Sequence, residues 1–204
     1  MRYPAFFDQA PAITMRDPLA ALLGAAEDGL IEFHYLDAVR LAGHSCPTVA
    51  GAWLMARAAL LALYPDGPAE RGGITVQMSG AEREGVNGVI AQVLTLVTGA
   101  AADNGFHGIG GRHVRQSLLG FSAQPGSDAV RFSRKDNGAT VTVDLDMASI
   151  PAPANLRQLL GAALDPAASA EQRSHFAQAW QERVRRLLLE HADDPAVVRL
   201  NRRD

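Results

Sequence analysis

The apolar positions of the chain fall into a few periodic runs separated by proline and glycine. Leu19, Leu22 and Leu23 recur at helical spacing between Asp17 and Gly29, with Asp17 as a natural N-cap and Pro18 at the first helical position. Tyr35 to Leu41 predicts a second short helix running into Gly43. Beyond Pro47, the stretch Thr48 to Tyr64 is apolar almost all round, broken only by Thr48 and Arg57, and predicts a helix buried on most of its circumference. Pro65, Asp66 and Gly67 end it. Ile74, Val76 and Met78 alternate with Thr75 and Gln77, the two-residue period of a strand with one buried face. Gly88 to Thr98 fits a strand or a buried helix. Its length and Gly99 in the position of a C-cap favour the helix, with Asn87 at its N-cap.

Three strands are expected downstream, over Val114 to Phe121, Val130 to Arg134 and Thr140 to Leu145. The Asn137-Gly138 pair between the last two is the strongest hairpin signal in the chain. Pro151 and Pro153 mark a boundary, after which Ser169 and Gln172 form a capping box. Phe176, Trp180, Val184, Leu187 and Leu188 then carry the apolar face of a long helix. The order helix, strand, helix, three strands predicts an α+β fold with core order α-β-α-β-β-β and a mixed sheet covered by helices. Residues 1–150 form the α+β domain in this reading. Residues 151–204 form a helical extension that packs on the same domain or on a dimer mate.

Composition narrows the function classes. The net charge is -3, and Lys135 is the only lysine, so no basic stripe is available to neutralise a run of phosphates and nucleic acid is not expected as a partner. No apolar run is long enough to span a bilayer, and the N-terminus lacks the apolar centre of a signal peptide. A single cysteine, Cys46, excludes an internal disulfide framework. A protein of the reducing cytoplasm is the expectation.

The most informative segment is Gly43-His44-Ser45-Cys46-Pro47. It sets an imidazole and a sulfur two residues apart at the mouth of the buried helix, where unpaired N–H groups and the helix dipole favour an anion. Sulfur plus nitrogen donors suit zinc or another late first-row ion. The same residues also fit a small buried cysteine and a hydrogen-bonded structural histidine.

A glycine-dense loop, Asn104 to His113, follows the second buried helix. It is not a P-loop, since no strand leads into it and no Gly-Lys-Ser/Thr follows. His107 and His113 are candidate further ligands reaching across to His44 and Cys46, or plain exposed residues of a turn. Glu82 and Glu84 are candidates for a carboxylate ligand or general base, Glu84 being the candidate base if a metal keeps an open position, although acids near a helix start commonly serve the dipole. His34 is a weaker ligand candidate. His175 and His191 are expected to be solvated on the last helix, and Asp144 and Asp146 to serve a turn.

Asp37 to Gly51, centred on the Gly-His-Ser-Cys-Pro loop, resembles the signature of the FmdE family, named for a component of formylmethanofuran dehydrogenase. Thr98-Gly99 is similar to that family's Thr-Gly-Cys-Thr segment, and Phe132 to Gly138 to its Arg-Lys hairpin turn. The resemblance covers Asp37 to Leu145. It implies the same α-β-α-β-β-β order and a metal-binding, zinc-bearing, homodimeric protein, accessory to one-carbon or molybdenum/tungsten enzyme chemistry. The family's additional cysteine-rich zinc ribbon has no counterpart here. Ala42 stands where the family often has a histidine, while Val89 or Asn87 and Ala100 stand in the regions of its other cysteines. Only His44 and Cys46 carry over as ligands, and His107 and His113 are chosen on chemical grounds. Two other functions stay open. One is a non-enzymatic dimeric binding or assembly module with a degenerate metal site, its partner a protein or small molecule. The other is a thiol enzyme using Cys46 with His44 as base.

Overall fold

The structure, a computed structural model, describes residues 3–122 and 129–203. Its architecture is α+β, with helices covering two mixed sheets. Strands β1 (Ile13–Arg16), β2 (Leu30–Phe33) and β3 (Ala69–Glu70) form the smaller sheet in the order β2-β1-β3. The larger has the order β5-β4-β6-β7-β8, from β4 (Ile74–Met78), β5 (Leu119–Phe121), β6 (Val130–Arg134), β7 (Thr140–Leu145) and β8 (Val198–Arg203). Only β4 and β5 run parallel in that sheet, and the register of β6 and β7 opposes Phe132 to Val141.

The expected α-β-α-β-β-β order is observed, carried by helices α3 (Pro47–Leu63) and α4 (Asn87–Thr98) and strands β4 to β7. Helix α3 lies at the centre. Val49, Trp53, Leu54 and Ala56 are fully buried, and its neighbours include α4, β7 and the C-terminal helix α6 (Ala170–Leu189). Gly51 lets α3 approach the sheet closely, since a Cβ there would collide with the Leu145 side chain. Ile74, Val76 and Met78 face this core from β4 as their alternation predicts, whereas Thr75 and Gln77 are half-buried on the other face.

Several expectations are corrected. The helix expected over Asp17 to Gly29 is only α1 (Pro18–Leu22), because Leu22 and Leu23 are each 62 % exposed and contribute no buried face. Asp17 does cap it, accepting from the Leu19 and Ala20 N–H groups. The strand expected over Val114 to Phe121 shrinks to the three residues of β5. Helix α4 begins at Asn87 itself, so its N-cap is Val86, while Gly99 ends it in the left-handed conformation as expected. Helix α5 (Leu156–Leu164) buries none of its residues, whereas α6 buries Val184, Leu187 and Leu188 against the core. The chain then returns as β8, a strand the sequence pattern does not announce.

Candidate functional site

The loop between α2 (Tyr35–Ala42) and α3 is tied to its neighbours through Ser45. Two donors from α6, Trp180 Nε1 and Gln181 Nε2, both reach the Ser45 carbonyl at 3.0 Å. The Ser45 hydroxyl lies 2.9 Å from the Tyr35 hydroxyl in the interior. Burial pushes the Tyr35 phenol well above its ordinary range, so it stays a neutral hydrogen-bonding group. Gly43 supplies the left-handed turn that ends α2, at φ 75°.

On either side of this anchor stand His44 and Cys46. The His44 ring is exposed, and its Nδ1 lies 2.9 Å from the Ala42 carbonyl. A carbonyl only accepts, so Nδ1 carries the proton and the lone pair of the neutral imidazole resides on Nε2. Metal-binding histidines characteristically have one ring nitrogen fixed in this way while the other coordinates. Cys46 is 8 % exposed and caps α3, its Sγ accepting from the Val49 N–H at 3.5 Å. Pro47 follows at the first helical position, as expected.

The His44 ring is exposed whereas Cys46 belongs to the buried core, and the other proposed ligands are not gathered with them. Among the described residues no group of three or more His, Cys, Asp and Glu side chains is placed to hold a metal ion. The glycine-dense loop folds as a small hairpin of its own. Ile109 and Arg112 exchange both backbone hydrogen bonds, and Gly110 and Gly111 form the tip at positive φ. Its glycines thus serve a tight turn. His107 is exposed on it. His113, at φ 58°, lines a cavity together with Arg71, Arg112, Arg115 and Lys135, cationic surroundings that repel a metal ion.

Glu84 is exposed and accepts from the Ala81 N–H at 3.4 Å, which makes it a loop-fixing acid. Glu82 is exposed at the edge of a separate cavity beside α4. His34 pairs with Glu32 at 3.1 Å on the surface, and His175 is solvated as expected. His191 differs from expectation. It lies beyond the end of α6 with its Nδ1 2.9 Å from Asp194, whose carboxyl it holds below the ordinary carboxylate range. Asp146 accepts from the Ala148 N–H at 2.8 Å, the expected turn role, and also pairs with Arg199.

Sequence reasoning missed a second polar centre. Asp17, 4 % exposed, receives Arg71 Nη1 at 2.9 Å and Arg115 Nη2 at 2.6 Å. Burial pushes its carboxyl upward, but Arg71, Arg115 and the Leu19 and Ala20 N–H groups outweigh that and hold it below the ordinary value. Arg71 also donates to the Leu96 and Val97 carbonyls at the end of α4, at 3.1 and 3.2 Å. It thereby ties β3, α1 and α4 together. No protein-family model matches the chain, and no significant match is found among curated proteins.

Proposed function

We propose that this chain is a metal-binding protein of the kind its central motif resembles, the FmdE family of formylmethanofuran dehydrogenase components. His44 and Cys46 are its donors and zinc is the preferred ion. The observation that supports this most is the hydrogen bond from His44 Nδ1 to the Ala42 carbonyl, which leaves Nε2 as a fixed, outward lone pair one residue from the Ser45 anchor. A soft sulfur and an imidazole suit zinc better than a hard cation. Two donors do not complete a tetrahedron, so the remaining positions belong to water, a small-molecule ligand or a second copy of the chain. A cytoplasmic homodimer, accessory to one-carbon or molybdenum/tungsten enzyme chemistry, is the context the resemblance suggests.

A second reading rests on the same incomplete donor set. With no third His, Cys, Asp or Glu beside the pair among the described residues, the chain acts as a non-enzymatic assembly module whose ancestral site has degenerated. Metal analysis separates the two readings. Elemental analysis of protein purified without chelators should find zinc in fixed stoichiometry, lost in both His44→Ala and Cys46→Ala. Metal-free protein that refuses added zinc and assembles unchanged would establish the second reading instead.

A further inference from the structure

The cavity that receives His113 has a volume of about 310 Å³ and is lined by Arg71, Arg112, Arg115 and Lys135, with Glu70 the one acidic lining residue among those described. Asp17, behind Arg71 and Arg115, is shared between them. Four cations thus face two carboxylates, and two positive charges are left over. The surplus resides on Arg112 and Lys135, both open to solvent at the mouth of the cavity, where they are free to meet an entering anion.

The donors themselves are unfinished. Arg115 is 7 % exposed; its Nε is sealed from solvent without an acceptor, and among the described residues its one side-chain hydrogen bond runs from Nη2 to Asp17, which leaves Nη1 uncommitted. Lys135 donates to the Gly72 carbonyl at 3.2 Å and has two further ammonium protons. Arg112 stands exposed at the rim on the glycine hairpin and forms no ion pair among the described residues. Nearby backbone N–H groups are spent elsewhere: Gly72 on Thr98, Lys135 on Gly73 and Arg115 on Phe106. A ligand here is therefore gripped by side chains.

We infer that this cavity is a binding site for the phosphoryl group of a small molecule, held by Arg112, Arg115 and Lys135. Two uncompensated positive charges match a phosphate dianion better than a single carboxylate, and the guanidinium fork fits its oxygens. The volume lies at the lower end for small-molecule sites, which suits a phosphoryl-bearing metabolite of modest size.

The test is calorimetric titration of the metal-free full chain with inorganic phosphate at low ionic strength, with acetate in parallel. Phosphate should bind saturably, with a Kd of about 1 mM or tighter, and much more tightly than acetate. Arg112 and Lys135 are both exposed, so the double variant R112A/K135A should fold normally. It should weaken phosphate binding at least tenfold, while R173A on the exposed face of α6 leaves it unchanged. Absent saturation, binding unaffected by R112A/K135A, or acetate binding as tightly as phosphate would each overturn the assignment.

Discussion

Nη1 of Arg115 occupies the place where Gly72 would carry a Cβ. Gly72 also sits at φ 82°, so the residue is required both for its backbone angle and for the guanidinium lying against it. Gly138 isolates the first requirement. It has φ 74° and nothing near the position of its missing Cβ. Gly138→Ala should therefore cost about 1 kcal/mol, the penalty of a left-handed alanine. Gly72→Ala carries that penalty and also evicts Arg115 from Asp17, and should cost at least about 2 kcal/mol more. Urea denaturation of the two variants side by side checks this, and equal losses would mean that the arginine moves aside freely.

Removing the carboxylate from the same network should be costlier still. Asp17→Asn leaves two guanidinium groups facing each other without their shared counter-ion, and loss of one partner of a buried pair costs about 3–5 kcal/mol. The effect has a defined pH dependence. Asp17 titrates below its ordinary value of 3.8 in the folded chain, so its stabilisation is fully present above that value and is lost as pH falls through the lower folded one. Wild type should keep a constant advantage over Asp17→Asn between about pH 7 and pH 5, and the two should converge in stronger acid. An advantage that grows toward acid pH would contradict the pairing.

How much of this is legible in the sequence depends on how local each signal is. The α3 helix, the β4 alternation and the Asn137-Gly138 turn are each specified within a few consecutive residues, and each lies where expected. The loop carrying His44 and Cys46 is legible for the same reason. Ile13 to Arg16 also alternates buried and exposed, but four residues are too few to distinguish β1 from a chance run. Leu22 and Leu23 mislead because leucines at helical spacing do not reveal whether anything covers them. The polar centre is invisible in principle. Arg71 lies 54 residues from Asp17 and Arg115 lies 98, separations across which no periodicity connects the partners. Trp180 reads only as part of an apolar stripe. Yet a partly buried indole still needs an acceptor, and that requirement is the available hint of its bond to Ser45.

The double grip on the Ser45 carbonyl predicts non-additive mutations. Trp180→Phe or Gln181→Ala alone leaves one donor in place and should cost about 1 kcal/mol from the lost hydrogen bond, apart from any change in packing. Together they strand the carbonyl of a buried residue, and the pair should cost about 1–3 kcal/mol beyond the sum of the singles. A double-mutant cycle by chemical denaturation measures this directly. Amide exchange between Gly43 and Pro47 should accelerate only in the double variant, and additive behaviour would show that the two donors act independently.

Cys46 offers the sharpest separation of structural from ligand roles, because its sulfur performs a capping task that oxygen performs better. Serine at the N-cap accepts from the same N–H group, here that of Val49, and is among the preferred residues at that position. Cys46→Ser should therefore keep the melting temperature of the metal-free protein at or slightly above wild type, whereas Cys46→Ala loses the cap at about 1 kcal/mol. If the sulfur is a zinc donor, both variants lose metal to the same extent, since a neutral hydroxyl does not replace a thiolate ligand. Thermal denaturation and elemental analysis on the same preparations provide both readouts. Zinc retained by Cys46→Ser and lost only by Cys46→Ala would show that metal content follows the integrity of the helix start, and the sulfur would then be a cap and nothing more.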